Sequence, residues 1–250
     1  MIENGYKSNE CDKCIYYKTW ENSHVIISLY VDDLLILGSN LHVINEIENI
    51  LRSHFDMKDL GETNFILGMK ITKTCDGIYL EQSHYIDKIL KKYNYHDCKH
   101  VVTPFDSSAH LFPINNDNDV VNQKEYASII DSLWYATDCT KPDIAYAVGV
   151  LSRFTSKPSR DHWQAIEQVM KYLFGTKLHG LFYKKYPAIL EGFSDVDWNT
   201  LSGDSLFTTS CIFTLGGGAI CWKSKKQTII ANSTLEAELI ALASASEEAN

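Results

Sequence analysis

Long hydrophobic runs are absent from this 250-residue chain. No apolar stretch approaches the roughly 18 residues that a membrane-spanning helix requires. The polar start at residues 1–5 also lacks the basic region and the apolar core of a secretory signal peptide. From these absences we expect an intracellular protein, cytoplasmic or nuclear, that is neither secreted nor inserted in a membrane.

A regular cysteine framework is also missing. The seven cysteines are an odd number at scattered positions, which predicts reduced thiols rather than disulfides. Cys11 and Cys14 have the spacing of a zinc-ligand pair, but a structural zinc site needs two further ligands. Cys75 and Cys98 do not form a second such pair, so we expect small buried side chains instead.

Positive charge is scarce. Lysine and arginine number 23 against 32 acidic residues, for a formal net charge of −9. Because non-specific binding of nucleic acid depends on basic side chains that neutralise phosphates, any such binding must use local clusters. Each cluster is equally explained as solvated surface. The candidates are Lys88, Lys91 and Lys92, then Arg153, Lys157 and Arg160, then Lys223, Lys225 and Lys226.

The most informative segment that is present is residues 30–33, Tyr-Val-Asp-Asp, which separates the apolar runs 25–29 and 34–37. This pattern predicts a β-hairpin with buried arms. Paired carboxylates between buried strands need a partner, and a divalent cation is a natural one. Asp32 and Asp33 therefore point to half of a polymerase metal site, in which two ions clamp the reacting oxygens. A solvent-facing acidic turn explains the same four residues.

The remaining chain alternates between helical and strand patterns. Apolar residues at three- and four-residue steps predict helices, alternating or β-branched runs predict strands, and a polar, turn-rich stretch at 107–123 predicts a linker. The predicted helices cover 43–55, 85–93, 126–137, 142–154, 159–174 and 234–245, and the predicted strands cover 64–71, 77–81, 188–193, 208–215, 219–223 and 227–231.

Blocks of sequence in one fixed order give the chain a close resemblance to the copia-type retrotransposon Pol polyprotein, from the end of the reverse transcriptase palm into ribonuclease H. The resemblance covers nearly the whole chain. The blocks that carry it are 30–33 (YVDD), 57–62 (MKDLGE), 67–68 (LG), Gln82 with 85–86 (YI), 103–104 (TP), 141–148 (KPDIAYAV), 151–154 (LSRF), 162–163 (HW), 172–176 (YLFGT), 194–198 (SDVDW), 222–227 (WKSKKQ) and 236–238 (EAE).

The resemblance implies an α+β fold that consists of a partial polymerase palm and thumb, a helical connection and a partial ribonuclease H-like α/β domain. The palm remnant and thumb would occupy residues 1–106. The linker and helical connection would occupy 107–185. The N-terminal half of the ribonuclease H-like domain would occupy 186–250.

The resemblance also implies roles for individual residues in the polymerase part. Asp32 and Asp33 would be catalytic and would bind Mg²⁺ in a two-ion site. Tyr30 and Val31 would lie beside the primer terminus. The implied substrates are an RNA template, a DNA primer and an RNA–DNA hybrid.

In the ribonuclease H part, the resemblance assigns the first catalytic carboxylate to Asp195 and the second to Glu238, again as Mg²⁺ ligands. Glu236 is the rival of Glu238. Side chains two positions apart point about 200° away from each other around a helix, so only one of the two glutamates can face Asp195 well. The nucleic-acid contacts on this side would come from Lys223, Lys225 and Lys226.

Departures from the family pattern lead to a further expectation. The third polymerase carboxylate of the family would precede Met1, and the last ribonuclease H aspartate would follow Asn250. Inside the matched blocks, Asp131 stands where the family usually has a glycine, and Leu235 stands where it has a small polar residue. We therefore expect a truncated fragment that is inactive alone and active only when the missing Pol segments are restored; whether a separate chain supplies them in trans stays open. Two alternatives remain open: a non-catalytic module that binds nucleic acid or a partner, and a chain that folds poorly because its sheet edges are open.

Overall fold

The computed structural model of the chain describes residues 1–106, 108–109, 111–113, 121–197 and 207–249. Both helices and strands form, so the predicted α+β class is confirmed. Part of the predicted linker and Trp198 lie outside the described residues. In the described ranges, no helix combines the length and hydrophobicity needed to cross a bilayer.

The chain divides into two compact units, Met1–Glu62 and Thr63–Asn250. The first unit is an antiparallel sheet in the order β1-β2-β3-β4 with one long helix. Asn40 begins that helix by accepting a hydrogen bond from the backbone N–H of Val43 at 3.0 Å, as an N-cap residue does. The elements are β1 (Lys7–Ser8), β2 (Ile15–Trp20), β3 (Ser23–Tyr30), β4 (Asp33–Gly38) and α1 (Leu41–His54).

One face of this sheet packs against α1, and that face holds the core of the unit. Val25 and Ile27 of β3 are buried against Val43, Ile47 and Leu51 of α1. Because side chains alternate along a strand, the even-numbered residues of β3 lie on the opposite face. The predicted hairpin is therefore confirmed. One face of its two strands is buried against α1, and the opposite face is open.

The second unit contains two further sheets and a helical block. Their strands and helices are β5 (Phe65–Ile66), β6 (Met69–Lys73), β7 (Gly77–Glu81), α2 (Ser83–Lys92), α3 (Gln123–Cys139), α4 (Ala145–Ser152), α5 (Arg160–Gly175), β8 (Leu181–Lys184), β9 (Leu190–Asp197), β10 (Thr208–Leu215), β11 (Gly218–Lys226) and α6 (Thr234–Glu248). The predicted single helix at 142–154 is a 3-10 turn at Pro142–Ile144 followed by α4.

The first sheet of this unit has the order β5-β6-β7-β8, so residues far apart in sequence pair with each other. Ile78 of β7 lies opposite Tyr183 of β8. The structure thus joins segments that the sequence analysis assigned to the thumb and to the connection. The three-part division at 106 and 185 remains a prediction.

The helical block contains the larger core, formed by α2, α3, α4 and α5. Three polar side chains fix its ends. Lys141, 1% exposed, donates to the backbone carbonyl of Thr176 at 2.6 Å. Tyr126 donates to the carbonyl of Leu151 at 2.8 Å. His162 closes a capping box with Ser159 at the start of α5.

The second sheet, in the order β11-β10-β9, is covered by α6 on one face. Buried alanines of α6 form the contact, at positions 237, 241 and 245. The predicted strand at 227–231 is wrong: Lys226 already pairs with Thr208, the first residue of β10. The backbone N–H of Gln227 still donates to the carbonyl of Phe207 at 2.8 Å, but the strand ends there, and the side-chain Nε2 of Gln227 donates to the carbonyl of Ala237 at 3.1 Å.

Candidate functional site

The tight turn between β3 and β4 is the centre of the first candidate site. Tyr30 and Asp33 are the last paired residues, so Val31 and Asp32 form a two-residue loop. Val31 has φ 52°, a left-handed conformation that β-branched residues rarely adopt. The turn therefore holds both aspartates at the tip of the hairpin.

Asp32 and Asp33 are both exposed at this tip. Asp33 and Tyr30 lie on the sheet face opposite α1, as the register and the strand alternation require. On the same face, Tyr17, Ile26 and Leu37 lie opposite one another in neighbouring strands and are 39%, 43% and 52% exposed. The acidic tip thus borders an open, partly apolar sheet face.

The unusual backbone at Val31 leads to a testable prediction. Replacing Val31 by asparagine should stabilise the hairpin by about 1 kcal/mol, since asparagine tolerates left-handed φ and valine does not. Hydrogen exchange of residues 23–38 measures the effect. Val31→Thr is the matched control because it keeps the β-branch. Equal protection in the asparagine and threonine variants would contradict a strained turn.

The acids of β9 occupy one face of the second sheet. Asp195 and Asp197 alternate with Val196, and Val196 packs against the α6 side. Tyr146 of α4 donates to Asp197 Oδ2 at 2.9 Å. Asp195 therefore lies on the same sheet face as Asp197, toward α4, whereas α6 covers the opposite face.

The helix α6 carries the two glutamates that were predicted as partners of Asp195. Glu236 accepts hydrogen bonds from the backbone N–H of Asn232 at 2.7 Å and from its side chain at 3.2 Å. It therefore caps the start of α6. Glu238 is exposed, but it belongs to the helix on the face opposite Asp195. The pairing of Asp195 with Glu238 remains a prediction.

The three predicted nucleic-acid-binding lysines of β11 do not share a face. Lys223 and Lys225 point to the α6 side, and Lys226 points to the other side, because side chains alternate along the strand. Lys223 forms an ion pair with Glu248 of α6, and this carboxylate raises the pKa of Lys223. Lys223 therefore ties β11 to the end of α6.

The acidic side chains of the candidate sites are possible ligands for Mg²⁺. Asp32 and Asp33 supply the oxygen ligands that Mg²⁺ prefers. Within the described ranges, however, no group of three histidine, cysteine, aspartate or glutamate residues is placed to hold an ion. The described residues thus do not fit a complete two-ion site, although the Asp32–Asp33 tip could contribute one side of it.

Sequence reasoning missed two features of these sites. One is the contact of Tyr146 with Asp197, across 51 positions of sequence, for which the sequence holds no signal. The other is the open apolar face beside Asp33. The sequence did contain a signal for this open face. Apolar side chains occur at both odd- and even-numbered positions of 25–29 and 34–37, so each face of the hairpin carries some of them.

Known proteins resemble this chain in sequence, both a family over its first part and individual relatives over nearly its whole length. Residues 1–107 match the reverse transcriptase (RNA-dependent DNA polymerase) family. The retrovirus-related Pol polyprotein from transposon TNT 1-94 of Nicotiana tabacum is 39% identical over 99% of the chain and 19% of its own length. That from transposon RE1 of Arabidopsis thaliana is 34% identical over 99% of the chain and 17% of its own length.

An uncharacterized mitochondrial protein of Arabidopsis thaliana is 33% identical over 86% of the chain and 89% of its own length. No solved structure matches the chain. The chain belongs to the copia-type family of retrotransposon Pol polyproteins and contains a reverse transcriptase-like domain. It spans about a fifth of the length of the Pol polyproteins that it matches.

Proposed function

We propose that this chain supplies the metal-binding hairpin of an RNA-directed DNA polymerase, with Asp32 and Asp33 as catalytic Mg²⁺ ligands. The observation that carries the proposal is the Val31 turn, which exposes both carboxylates at the tip of the β3–β4 hairpin. Backbone strain persists where the surrounding structure enforces it, and it is often associated with function. Tyr30 and the open face beside Asp33 would lie along the RNA template and DNA primer.

We propose further that residues 186–250 belong to a ribonuclease H-like domain that acts on an RNA–DNA hybrid, with Asp195 and Glu238 as its carboxylates. The support is the family relationship and the order of three antiparallel strands followed by a helix. Strand alternation directs Asp195 to the sheet face away from α6, and we propose that activity requires additional segments that complete the site. We therefore expect the 250-residue chain to be inactive alone.

A gel assay on a labelled RNA–DNA hybrid with a recessed primer tests both proposals. The chain alone, with Mg²⁺ or Mn²⁺, should neither extend the primer nor shorten the RNA. Fusion to the remaining polymerase segments of the tobacco Pol polyprotein should restore extension. Asp33→Asn in the fusion should reduce extension by about 10³-fold or more, since catalysis of phosphoryl transfer is largely electrostatic.

Asp56→Asn is the matched control in the same unit, because Asp56 is also an exposed aspartate but lies after α1, away from the hairpin. Its extension activity should equal that of the unsubstituted fusion. A folded fusion without activity would contradict the polymerase assignment. RNA shortening by the chain alone that Asp195→Asn abolishes would contradict the proposed inactivity.

The second candidate function is non-catalytic binding of an RNA–DNA hybrid or a partner. It is favoured by one observation: the described acids form no group of three metal-ligating residues. Filter binding of the hybrid at 20 and 200 mM salt distinguishes the two functions, because phosphate contacts weaken steeply with salt. Absence of binding at 20 mM salt would exclude hybrid binding.

A further inference from the structure

Two exposed cysteines lie in the loop between β1 and β2, and they belong to neither of the sites described above. Cys11 and Cys14 are both free, and both side chains are exposed. We expected small buried side chains at this pair from the sequence, and that expectation is wrong. Because free cysteine is one of the residue types most often buried in proteins, two exposed thiols three positions apart suggest a chemical role.

The loop that holds the two cysteines is folded back on itself. The backbone N–H of Asn9 donates to the carbonyl of Ile15 at 2.8 Å, so the two ends of the loop meet. Asn9 Oδ1 accepts a hydrogen bond from the backbone N–H of Cys11 at 2.8 Å. Asp12 Oδ1 accepts one from the backbone N–H of Cys14 at 2.8 Å. Both cysteines are therefore confined to one short, hydrogen-bonded loop.

The spacing of Cys11 and Cys14 suits a disulfide. Residues three positions apart across a tight turn have their Cα atoms within about 7 Å of each other. A disulfide joins Cα atoms that are roughly 4.4–6.8 Å apart. Cys-x-x-Cys is also the spacing of dithiols that are oxidised and reduced reversibly. The chain length between the two thiols is therefore compatible with closure of a small ring.

A metal ion is the other ligand that such a pair could take. A structural zinc site needs four ligands. In the ranges that the structure describes, no three histidine, cysteine, aspartate or glutamate side chains are placed to hold an ion. The described residues leave the pair two ligands short of a zinc site, which favours thiol–disulfide chemistry.

The loop lies at the end of the first sheet that also carries the Asp32–Asp33 tip. The backbone N–H of Leu29 donates to the carbonyl of Cys14 at 2.9 Å. Leu29 directly precedes Tyr30, the last residue of β3. A covalent change at Cys14 would therefore act on the strand that leads into the hairpin turn.

We propose that Cys11 and Cys14 are a modification site, a dithiol that a small-molecule disulfide such as oxidised glutathione converts reversibly into an intramolecular disulfide. One cysteine thiolate attacks a sulfur of oxidised glutathione, forms a mixed disulfide and releases one glutathione thiolate. The other cysteine thiolate attacks the cysteine sulfur of the mixed disulfide and releases the second glutathione thiolate. The pair loses two electrons and two protons, and both glutathione molecules leave as thiols.

Peptide mapping of the full chain tests the proposal, because Lys13 lies between the two cysteines. The chain is incubated with reduced glutathione alone or with an equimolar mixture of reduced and oxidised glutathione. It is then alkylated, and the monomer band of a non-reducing gel is digested with trypsin. A disulfide would hold peptides 8–13 and 14–18 together after cleavage at Lys13. We expect this linked pair to be at least about 10-fold more abundant in the mixture, and to disappear on reduction.

Two variants serve as test and control. Cys14→Ser should abolish the linked pair and leave Cys11 as a mixed disulfide with glutathione. Cys75→Ser is the matched control, since Cys75 is also exposed but lies between β6 and β7, and it should form the linked pair as the unsubstituted chain does. Circular dichroism of both variants should match that of the unsubstituted chain, because substitutions at exposed positions change stability little.

Three results would overturn the proposal. The first is absence of the linked pair in the mixture, whether the two thiols are alkylated or each carries glutathione. The second is a disulfide of Cys11 or Cys14 with another cysteine of the chain or with a second chain. The third is zinc that is bound to the purified chain and lost in Cys14→Ser, which would make the pair part of a metal site. Each of these results leaves the polymerase and ribonuclease H proposals unaffected.

Discussion

Replacing Lys141 by alanine is expected to lower the free energy of unfolding of the helical block by about 3–5 kcal/mol. The Lys141 ammonium donates to the carbonyl of Thr176 at 2.6 Å, at the residue that ends α5. A buried charged hydrogen bond contributes about 1.5–3 kcal/mol. Loss of the buried aliphatic stem adds a cavity penalty of a few kcal/mol. Denaturant unfolding followed by circular dichroism measures the difference.

Lys141→Met separates these two contributions. Methionine keeps most of the buried volume but removes the ammonium donor, so that the Thr176 carbonyl retains only the hydrogen bond from the backbone N–H of His179. Burial lowers the pKa of Lys141 while the nearby Asp143 raises it, so methionine also removes the cost of burying a charge. We expect less than half of the alanine effect.

Lys91→Ala, at an exposed position of α2, is the control and should change stability by no more than about 0.5 kcal/mol. A loss below 1 kcal/mol in Lys141→Ala would show that the Lys141–Thr176 contact does not stabilise the block.

Acidification below pH 6.5 is expected to destabilise the helical block through His162. The backbone N–H of Ser159 donates to His162 Nδ1 at 2.9 Å, so this nitrogen carries no proton. The ring is fully buried and stacks on Phe154 at 3.8 Å between centroids. Burial lowers the pKa of His162 below its usual 6.5, and Asp161 partly opposes this effect.

The sign of the pH dependence follows from this lowered pKa. Above pH 6.5 both the folded and the unfolded chain hold a neutral His162, and its contribution to stability is fully present. As the pH falls through the folded pKa, protonation favours the unfolded state, so stability is lost. A proton on Nδ1 would also remove the acceptor for Ser159. We expect a loss of at least about 1 kcal/mol between pH 7.5 and 5.

Thermal or urea unfolding at the two pH values measures this loss. His162→Gln should flatten the dependence, because glutamine at this position can still accept the capping hydrogen bond but does not titrate. His179→Gln, at an exposed site, should keep the original dependence. The same pH dependence in His162→Gln as in the unsubstituted chain would rule out His162 as the cause.

Local structure was largely predictable from the sequence, whereas the pairing of distant elements was not. The hairpin around Asp32 and the helices of the block follow from short-range apolar periodicity. The strand predicted at 227–231 was wrong because an apolar run says nothing about whether a partner strand extends that far. The left-handed φ of Val31 also has no signal in the residue type, which disfavours it.

The candidate sites show the same division. The sequence located Asp33 at a hairpin tip, and it lies there; Asp195, expected at the end of a strand over 188–193, instead lies inside β9, two residues before Asp197. It did not reveal which face of the sheet α6 would cover. Strand alternation defines two faces, but only tertiary packing decides which neighbour covers each one. The joint role of Asp195 and Glu238 remains a prediction.

The pairing of β7 with β8 has a consequence for how the second unit acquires its fold. Glu81 ends β7 and Leu181 begins β8, so the whole helical block is an insertion between two adjacent strands of one sheet. That sheet cannot close until the insertion has brought its own ends together, which makes its formation a late, non-local event. The reverse transcriptase match ends at residue 107, inside this insertion. The segment defined by sequence homology and the segment able to fold as a unit are therefore different. A chain cut at residue 107 would lose β8, the strand that pairs with β7 and protects its edge.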